Sequence, residues 1–246
     1  MINLNNKIIV VTGGSGLLGN AIVNEILHSG GTAINIDINI KTNRKKHLFN
    51  CDITNSKELE KVIRLIFNIY GKIDGWVNNA YPRTSDWNHE FEKISTNSWR
   101  KNIDLQLTSV FTCCQIVLIE MKKQGFGNIV NIGSIYGIVG PDFEIYENTN
   151  LTMPAAYSAI KGGVITFTKY LASYYGKYNL RVNCVSPGGI FNNQSEQFVK
   201  QYETKTPLKK MAKANQISPA IVFLLSDSAE YITGHNLVVD GGWTIV

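Results

Sequence analysis

Cysteine and histidine are scarce in this chain, and neither occurs in clusters. Cys51, Cys113, Cys114 and Cys184 form no C-x-x-C pair and no metal-ligand spacing, and His28, His47, His89 and His235 stand equally alone. That pattern gives no disulfide framework, argues against a metal centre and suits buried thiols in a reducing compartment. No signal peptide or membrane span is visible, since Met1 to Lys7 is polar and runs directly into a strand. A cytoplasmic location is therefore expected. A strong charge of one sign is also missing, because the formal net charge is only +5. The densest basic cluster, Lys41, Arg44, Lys45 and Lys46, is short and falls in an expected loop, as a solvated turn or an anion contact. Nucleic-acid binding calls for basic residues concentrated on one element with aromatics among them, and is not expected.

What is present suits an α/β enzyme. With 44% hydrophobic and 17% charged residues the chain can bury a sizeable core. Short β-rich runs alternate with longer helical ones. Strands are expected at Lys7–Thr12, Thr32–Asp37, near Lys46–Phe49, and at Gly75–Asn78, Asn128–Gly133, Arg181–Ser186 and Leu237–Asp240. Helices are expected near Leu17–His28, Ser56–Tyr70, Ser98–Lys123, Ala155–Lys177 and Gln216–Ser226. Such alternation implies right-handed parallel crossovers and a doubly wound sheet. No repeat, low-complexity tract or linker marks a second unit, so residues 1–246 read as a single Rossmann-like domain.

The first strand ends in Thr12-Gly13-Gly14-Ser15-Gly16-Leu17-Leu18-Gly19 and opens a helix. Gly14-x-Gly16-x-x-Gly19 fits the dinucleotide fingerprint, in which glycines allow close backbone approach to a pyrophosphate at a helix N-terminus. Asp37 ends the second strand, where a carboxylate could accept from ribose hydroxyls and repel a 2′-phosphate by on the order of a few kcal/mol. This favours NAD over NADP. Asp52 could contact adenine, while Thr54 or Asn55 could equally be a simple helix cap. Asn78-Asn79-Ala80 ends the fourth strand, at the edge of the expected crevice.

Tyr157 and Lys161 stand four residues apart in an expected helix, so they share a face. A nearby cation lowers a phenol's pKa from its usual value of about 10, as a general acid/base for an alcohol or carbonyl requires.

Together, Thr12 to Gly19, Asp37, Asp52, Asn78-Asn79-Ala80, Asn102, Ser134, Tyr157, Lys161, Pro187-Gly188 and Asp240-Gly241-Gly242 resemble the short-chain dehydrogenase/reductase family over essentially the whole chain. The resemblance implies a seven-stranded parallel sheet with helices on both faces. It implies Tyr157 as acid/base, Lys161 as its partner and ribose ligand, Ser134 orienting the substrate oxygen, and Asn102 holding a water that connects the lysine to solvent. Cofactor contacts implied are Gly13, Ser15, Gly16, Leu17, Leu18, Asp37, Asp52, Ile53, Asn79, Ala80, Tyr157, Lys161, Pro187, Gly188 and Ile190. It also implies dimers or tetramers built by pairing the helices that contain Asn102 and Tyr157.

Four positions depart from the family's pattern. The spacing Gly13-x-x-Gly16-x-x-Gly19 is that of a larger, sugar-nucleotide-modifying branch, Tyr81 replaces a glycine, and Asn192 stands where a threonine often occurs. Ser134 and Tyr157 are 23 residues apart, wider than usual, with a polar insertion over residues 137–154. That insertion reads either as functional or as a surface or subunit-contact loop. The run Tyr136 to Glu147, Met153 to Tyr157 and Pro187 to Gln194 resembles a bacterial subgroup linked to flagellin modification and surface-sugar (nonulosonic acid) pathways, implying a polyhydroxylated, anionic substrate. Polar groups of Asp142 to Asn150, with Asn192, Asn193 and Gln194, could bond its hydroxyls. Arg83 is either an anion contact or a solvated arginine, and Trp243 either packs on a sugar or covers the core. Residues 191–213 are expected to form a lid, or else a basic solvated segment. The resulting expectation is hydride transfer between a secondary alcohol and NAD. The rivals are a 3-oxoacyl-thioester reductase, which would favour NADPH and an apolar channel, and a catalytically idle NAD-binding module.

Overall fold

The computed structural model describes residues 2–246. Seven strands form one sheet: β1 (Ile8–Thr12), β2 (Thr32–Asp37), β3 (Leu48–Asn50), β4 (Gly75–Asn78), β5 (Gly127–Ile132), β6 (Leu180–Pro187) and β7 (Asn236–Val239). Their order is β3-β2-β1-β4-β5-β6-β7, with every pairing parallel. Continuous apolar runs such as Ile8-Ile9-Val10-Val11 belong in such a sheet, because both of its faces are covered. The chain reverses its winding between β1 and β4, which creates a crevice at the carboxyl ends of the strands.

Helices α1 (Leu17–His28) and α7 (Ala214–Leu225) cover one face of the sheet, burying Ile22, Ile26, Ile217 and Ile221. The other face carries α2 (Ser56–Tyr70), α3 (Thr96–Ile103), α4 (Ser109–Gln124) and α5 (Ala155–Tyr175). There Ile63, Ile66, Val117, Leu118 and Leu171 meet Trp76 and Ile129 from the strands. Helices α3 and α4 are continuous through a π-helical turn at Asp104–Thr108. The 29-residue helix they form is long and apolar enough to cross a bilayer by length and composition. Its apolarity has another use here, because Cys113, Cys114, Val117, Leu118 and Met121 are buried against the sheet and α2.

Most boundaries shift by a residue or two from the sequence expectation, and two differences have a clear local cause. The third strand begins at Leu48, because Arg44–Lys46 forms a tight turn capped by Asn43. Residues 191–213 contain a regular helix, α6 (Glu196–Lys205), whose N-terminus is capped by the Ser195 hydroxyl. Its buried face is only Phe198 and Tyr202, too sparse a pattern for periodicity to reveal.

Candidate active site

The crevice is made of two adjoining cavities. The first, about 700 Å³, is lined by Gly13, Ser15, Gly16, Leu17, Leu18, Asp37, Asp52, Ile53, Asn79 and Ala80. At its base the Thr12 hydroxyl accepts from the Asn79 and Ala80 N–H groups at 3.0 and 3.1 Å, and the Asn79 amide donates to the Thr12 and Gly13 carbonyls at 3.0 Å. Asn79 thus ties the ends of β1 and β4 together. Gly13 has a positive φ of 64°, and a Cβ there would sit 2.8 Å from the Ala80 Cα, so glycine is required twice over.

No side chain caps the start of α1 at Gly16, so its first N–H groups remain available to an anion. Asp37 is buried, and its two oxygens accept from the Ser15 N–H at 3.0 Å and the Asn39 N–H at 2.9 Å. A carboxylate has about four acceptor sites, so capacity remains for ribose hydroxyls. Asp52 behaves as a turn residue, accepting from the Thr54 N–H at 2.9 Å and hydroxyl at 2.7 Å. Asn55 caps α2. The glycine turn, the uncapped helix start and the second-strand acid together fit a dinucleotide.

The second cavity, about 490 Å³, is lined by Ser134, Tyr157, Lys161, Pro187, Gly188 and Ile190 among others, and shares Leu17, Leu18, Asn79, Tyr81 and Arg83 with the first. Ser134 follows β5. The turn after it lies so close to α5 that a Cβ on Gly137 would sit 2.6 Å from the Lys161 carbonyl carbon. That contact sets serine, tyrosine and lysine on one wall. The Lys161 ammonium donates to the Ile132 carbonyl at 2.8 Å and lies 5.6 Å from both the Tyr81 and Tyr157 ring centres. Tyr81 and Trp87 both meet Tyr157 edge-on, at 5.8 and 6.3 Å.

Burial pushes the Tyr157 phenol above its ordinary value, and hydrogen bonding with Ser134 only partly opposes it. Burial likewise drives Lys161 down to about 8. The expected lowering of the phenol by the lysine does not appear: burial is the largest influence and Ser134 the opposing one. Low polarity pushes both groups toward their neutral forms.

Asn102 is not at the lysine, as the resemblance implies, but beside the Thr84 loop. Its side chain is fully committed elsewhere, accepting from the Thr84 N–H at 3.1 Å and donating to the Thr84 hydroxyl at 2.8 Å and the Ser98 carbonyl at 3.0 Å. It makes no hydrogen bond to Lys161 or Tyr157 and does not line the chamber. The sequence reading missed Gln106, one turn further along. It is buried within the π-helical turn, and neither its amide oxygen nor its amide nitrogen has a partner among the described residues. Leu107 beside it packs toward α5 at Gly163. A π turn in a long helix frequently marks a functional position. The only sequence signal was one amide interrupting the apolar Leu105–Leu107 run.

The insertion departs further from expectation. Asp142 and Glu144 do not line the chamber and share Lys205 of α6 at 2.9 and 2.8 Å. Gln197 and Gln201 donate to the Glu147 carbonyl, and Tyr146 packs on Phe198 at 5.4 Å. Asn148, Asn150 and Asn193 are exposed. The chamber wall is instead aromatic and apolar, formed by Tyr136, Tyr146, Phe198, Tyr202, Met153 and Met211, with Asn192 and Gln194 at its rim. Trp243 stacks behind Tyr202 at 4.4 Å and belongs to the core. Lys200, Lys209, Lys210 and Lys213 point to solvent.

Residues 19–244 match the family model described as enoyl-(acyl carrier protein) reductase. The chain is 38% identical to the post-translational flagellin modification protein A of Campylobacter coli, over 98% of this chain and 99% of that one. It is 32% identical to the 7alpha-hydroxysteroid dehydrogenase of Bacteroides fragilis, covering 98% and 95% of the two chains. Among solved structures, a short chain dehydrogenase from Leptospira borgpetersenii with bound NAD+ superposes with a TM-score of 0.90. It is 35% identical, and the match covers 98% of this chain and 94% of that one.

Proposed function

Because the chain belongs to the short-chain dehydrogenase/reductase family, as an oxidoreductase acting on CH–OH groups of small molecules, we propose that it moves hydride reversibly between NAD and a secondary alcohol of a sugar or sugar-derived acid. The pathway proposed is bacterial flagellin-glycan or surface-glycan synthesis. The observation that carries the reaction is the convergence of Ser134, Tyr157 and Lys161 on a chamber that opens into the dinucleotide cleft. The pathway assignment leans on the flagellin-modification relative, and the sugar on a wall of flat aromatic side chains with amides at the rim, a lining suited to a ring with one apolar face. Asp37 and the neutral Ile38 after it favour a free 2′-hydroxyl, hence NAD.

In oxidation, Tyr157 as phenolate accepts the substrate hydroxyl proton, Ser134 donates to the developing alkoxide, and the carbinol C–H leaves as hydride. A bound oxidised nicotinamide would supply the hydride acceptor and a ring charge that favours the phenolate. Lys161 would hold the ribose and supplies cationic character behind Tyr157. Gln106, rather than Asn102, is the amide we assign to the proton path behind the lysine. Fixed orientation of the three side chains and preorganised donors at the oxygen supply most of the acceleration.

Self-association is proposed through α4 and α5, where Phe111, Phe167, Tyr170 and Tyr174 form a partly exposed aromatic stripe with ring centres 5.9, 6.3 and 6.1 Å apart. A cytoplasmic location is part of the proposal.

Nicotinamide absorbance with NAD and NADP, against sugar nucleotides, sugar phosphates, nonulosonic acids and a 3-oxoacyl thioester, tests this reading. Tyr157→Phe should lower sugar turnover by roughly 10²–10⁴-fold while NAD binding is retained. Turnover only of the thioester with NADPH sinks the substrate and cofactor assignments. Unchanged turnover in Tyr157→Phe sinks the catalytic one.

A further inference from the structure

The chamber is electrostatically one-sided. Among the described residues no aspartate or glutamate lines it, and its two cations are Lys161 and Arg83. Lys161 is already engaged, donating to the Ile132 carbonyl. Arg83 takes part in none of the ion pairs among the described residues. Asp142 and Glu144 of the insertion lie outside the chamber lining and are paired with Lys205, although the Asp142 charge is felt by Tyr136 and Tyr146 in the wall. Asp86, in the same loop as Arg83, accepts from the Ser98 hydroxyl at 2.8 Å.

Arg83 is also held in place. Its guanidinium lies 5.4 Å over the Tyr81 ring, and Tyr81 is wedged edge-on between Trp87 and Tyr157, 5.8 Å from each. The contact places a planar, permanently charged fork, itself exposed and engaged with Tyr81, one aromatic ring away from the reacting phenol. Such a fork suits bidentate contact with a carboxylate or phosphate better than an ammonium does.

We propose that Arg83 is the anion-recognition residue of the chamber, meeting a carboxylate or phosphate of the substrate while the carbinol carbon lies at Tyr157. This rests on the hydride-transfer reading above and narrows it to an acid-bearing substrate. Because Arg83 also borders the first cavity, the dinucleotide pyrophosphate is the competing source of the anion.

Calorimetric titration of the NAD-loaded protein with D-glucose, D-glucuronate and glucose 6-phosphate separates these cases. At least one anionic sugar should bind tenfold or more tighter than glucose. Arg83→Ala should cut that preference below about twofold while NAD affinity stays within twofold. A preference for the carboxylate or for the phosphate identifies the anion. No preference in the unaltered protein, or a preference that survives in Arg83→Ala, overturns the proposal. So does a tenfold loss of NAD affinity in Arg83→Ala, which would assign the arginine to the pyrophosphate. A preference that disappears on substitution, in a protein that oxidises none of these sugars, supports the anion site and counts only against these sugars as hydride donors.

Discussion

The cofactor cleft and the substrate chamber are built in different ways. The cleft is made of main chain: a glycine turn, the uncapped start of α1, and Asn79 tying β4 to the end of β1. The chamber is made of side chains from segments far apart in sequence, with Tyr136 and Tyr146 meeting Phe198, Tyr202 and Met211. Changing the cleft therefore means moving backbone, whereas the chamber can be reshaped one side chain at a time.

The largest break should come from Gly13→Ala, which strains a left-handed residue and drives a methyl to 2.8 Å from Ala80. It should lower NAD affinity at least tenfold and stability by roughly 1–3 kcal/mol, measured by cofactor titration and urea unfolding. Equal NAD affinity in Gly13→Ala would show that the cleft yields as readily as the chamber.

Next come two amides one helical turn apart. Asn102→Ala leaves the Thr84 loop without its anchor and should cost about 1–3 kcal/mol, with whatever activity loss follows from loop disorder. Gln106→Leu removes a buried amide that has no partner, so it should be neutral or stabilising yet slow turnover about tenfold. Chemical denaturation beside steady-state rates tests both, and full activity in Gln106→Leu would make Gln106 a passenger.

Titration behaviour gives a smaller signal. Lys161 falls from 10.5 to about 8 on folding, so between those values its own contribution is a stability that rises with pH. The buried thiols of Cys51, Cys113, Cys114 and Cys184, raised above 9.0, and Tyr157, raised above 10.0, contribute the opposite slope above those values, because the folded chain then holds protons the unfolded chain has lost. Lys161→Met should therefore make stability lower at pH 9 relative to pH 8 than it is in the unaltered protein, followed by unfolding at stepped pH.

The mildest change is Lys205→Met, which frees Asp142 and Glu144 at an exposed site where ion pairs contribute little to stability. Faster proteolysis within residues 137–154 and a change in kcat/KM below about threefold are expected. Unchanged proteolysis would show that the aromatic contacts alone hold the insertion.

Local patterns made the first region legible. The glycine turn, Asp37 and the strand-helix alternation are short-range signals, so the sheet and the cleft could be read from the chain alone. The second region depends on partners 50 or 60 residues away. The ion pairs of Lys205 with Asp142 and Glu144 are invisible to periodicity, and so the acids looked like substrate ligands. Tyr146 and Phe198 gave no motif, and the chamber therefore looked more polar than it is. Asn102 and Gln106 show the same limit within one helix: both are buried amides, and only the Thr84 hydrogen bonds and the π turn reveal which one is already engaged.

The Lys205 clasp bears on how such an enzyme could be re-engineered. The insertion and α6 form one cassette carried on two separate stretches of chain. A chimera receiving residues 137–154 alone would inherit two carboxylates with no counter-ion and an aromatic face with nothing to rest on. One receiving α6 alone would gain a stray cation over an open wall. Transplanting this substrate preference into a sister scaffold should therefore succeed only when both stretches travel together.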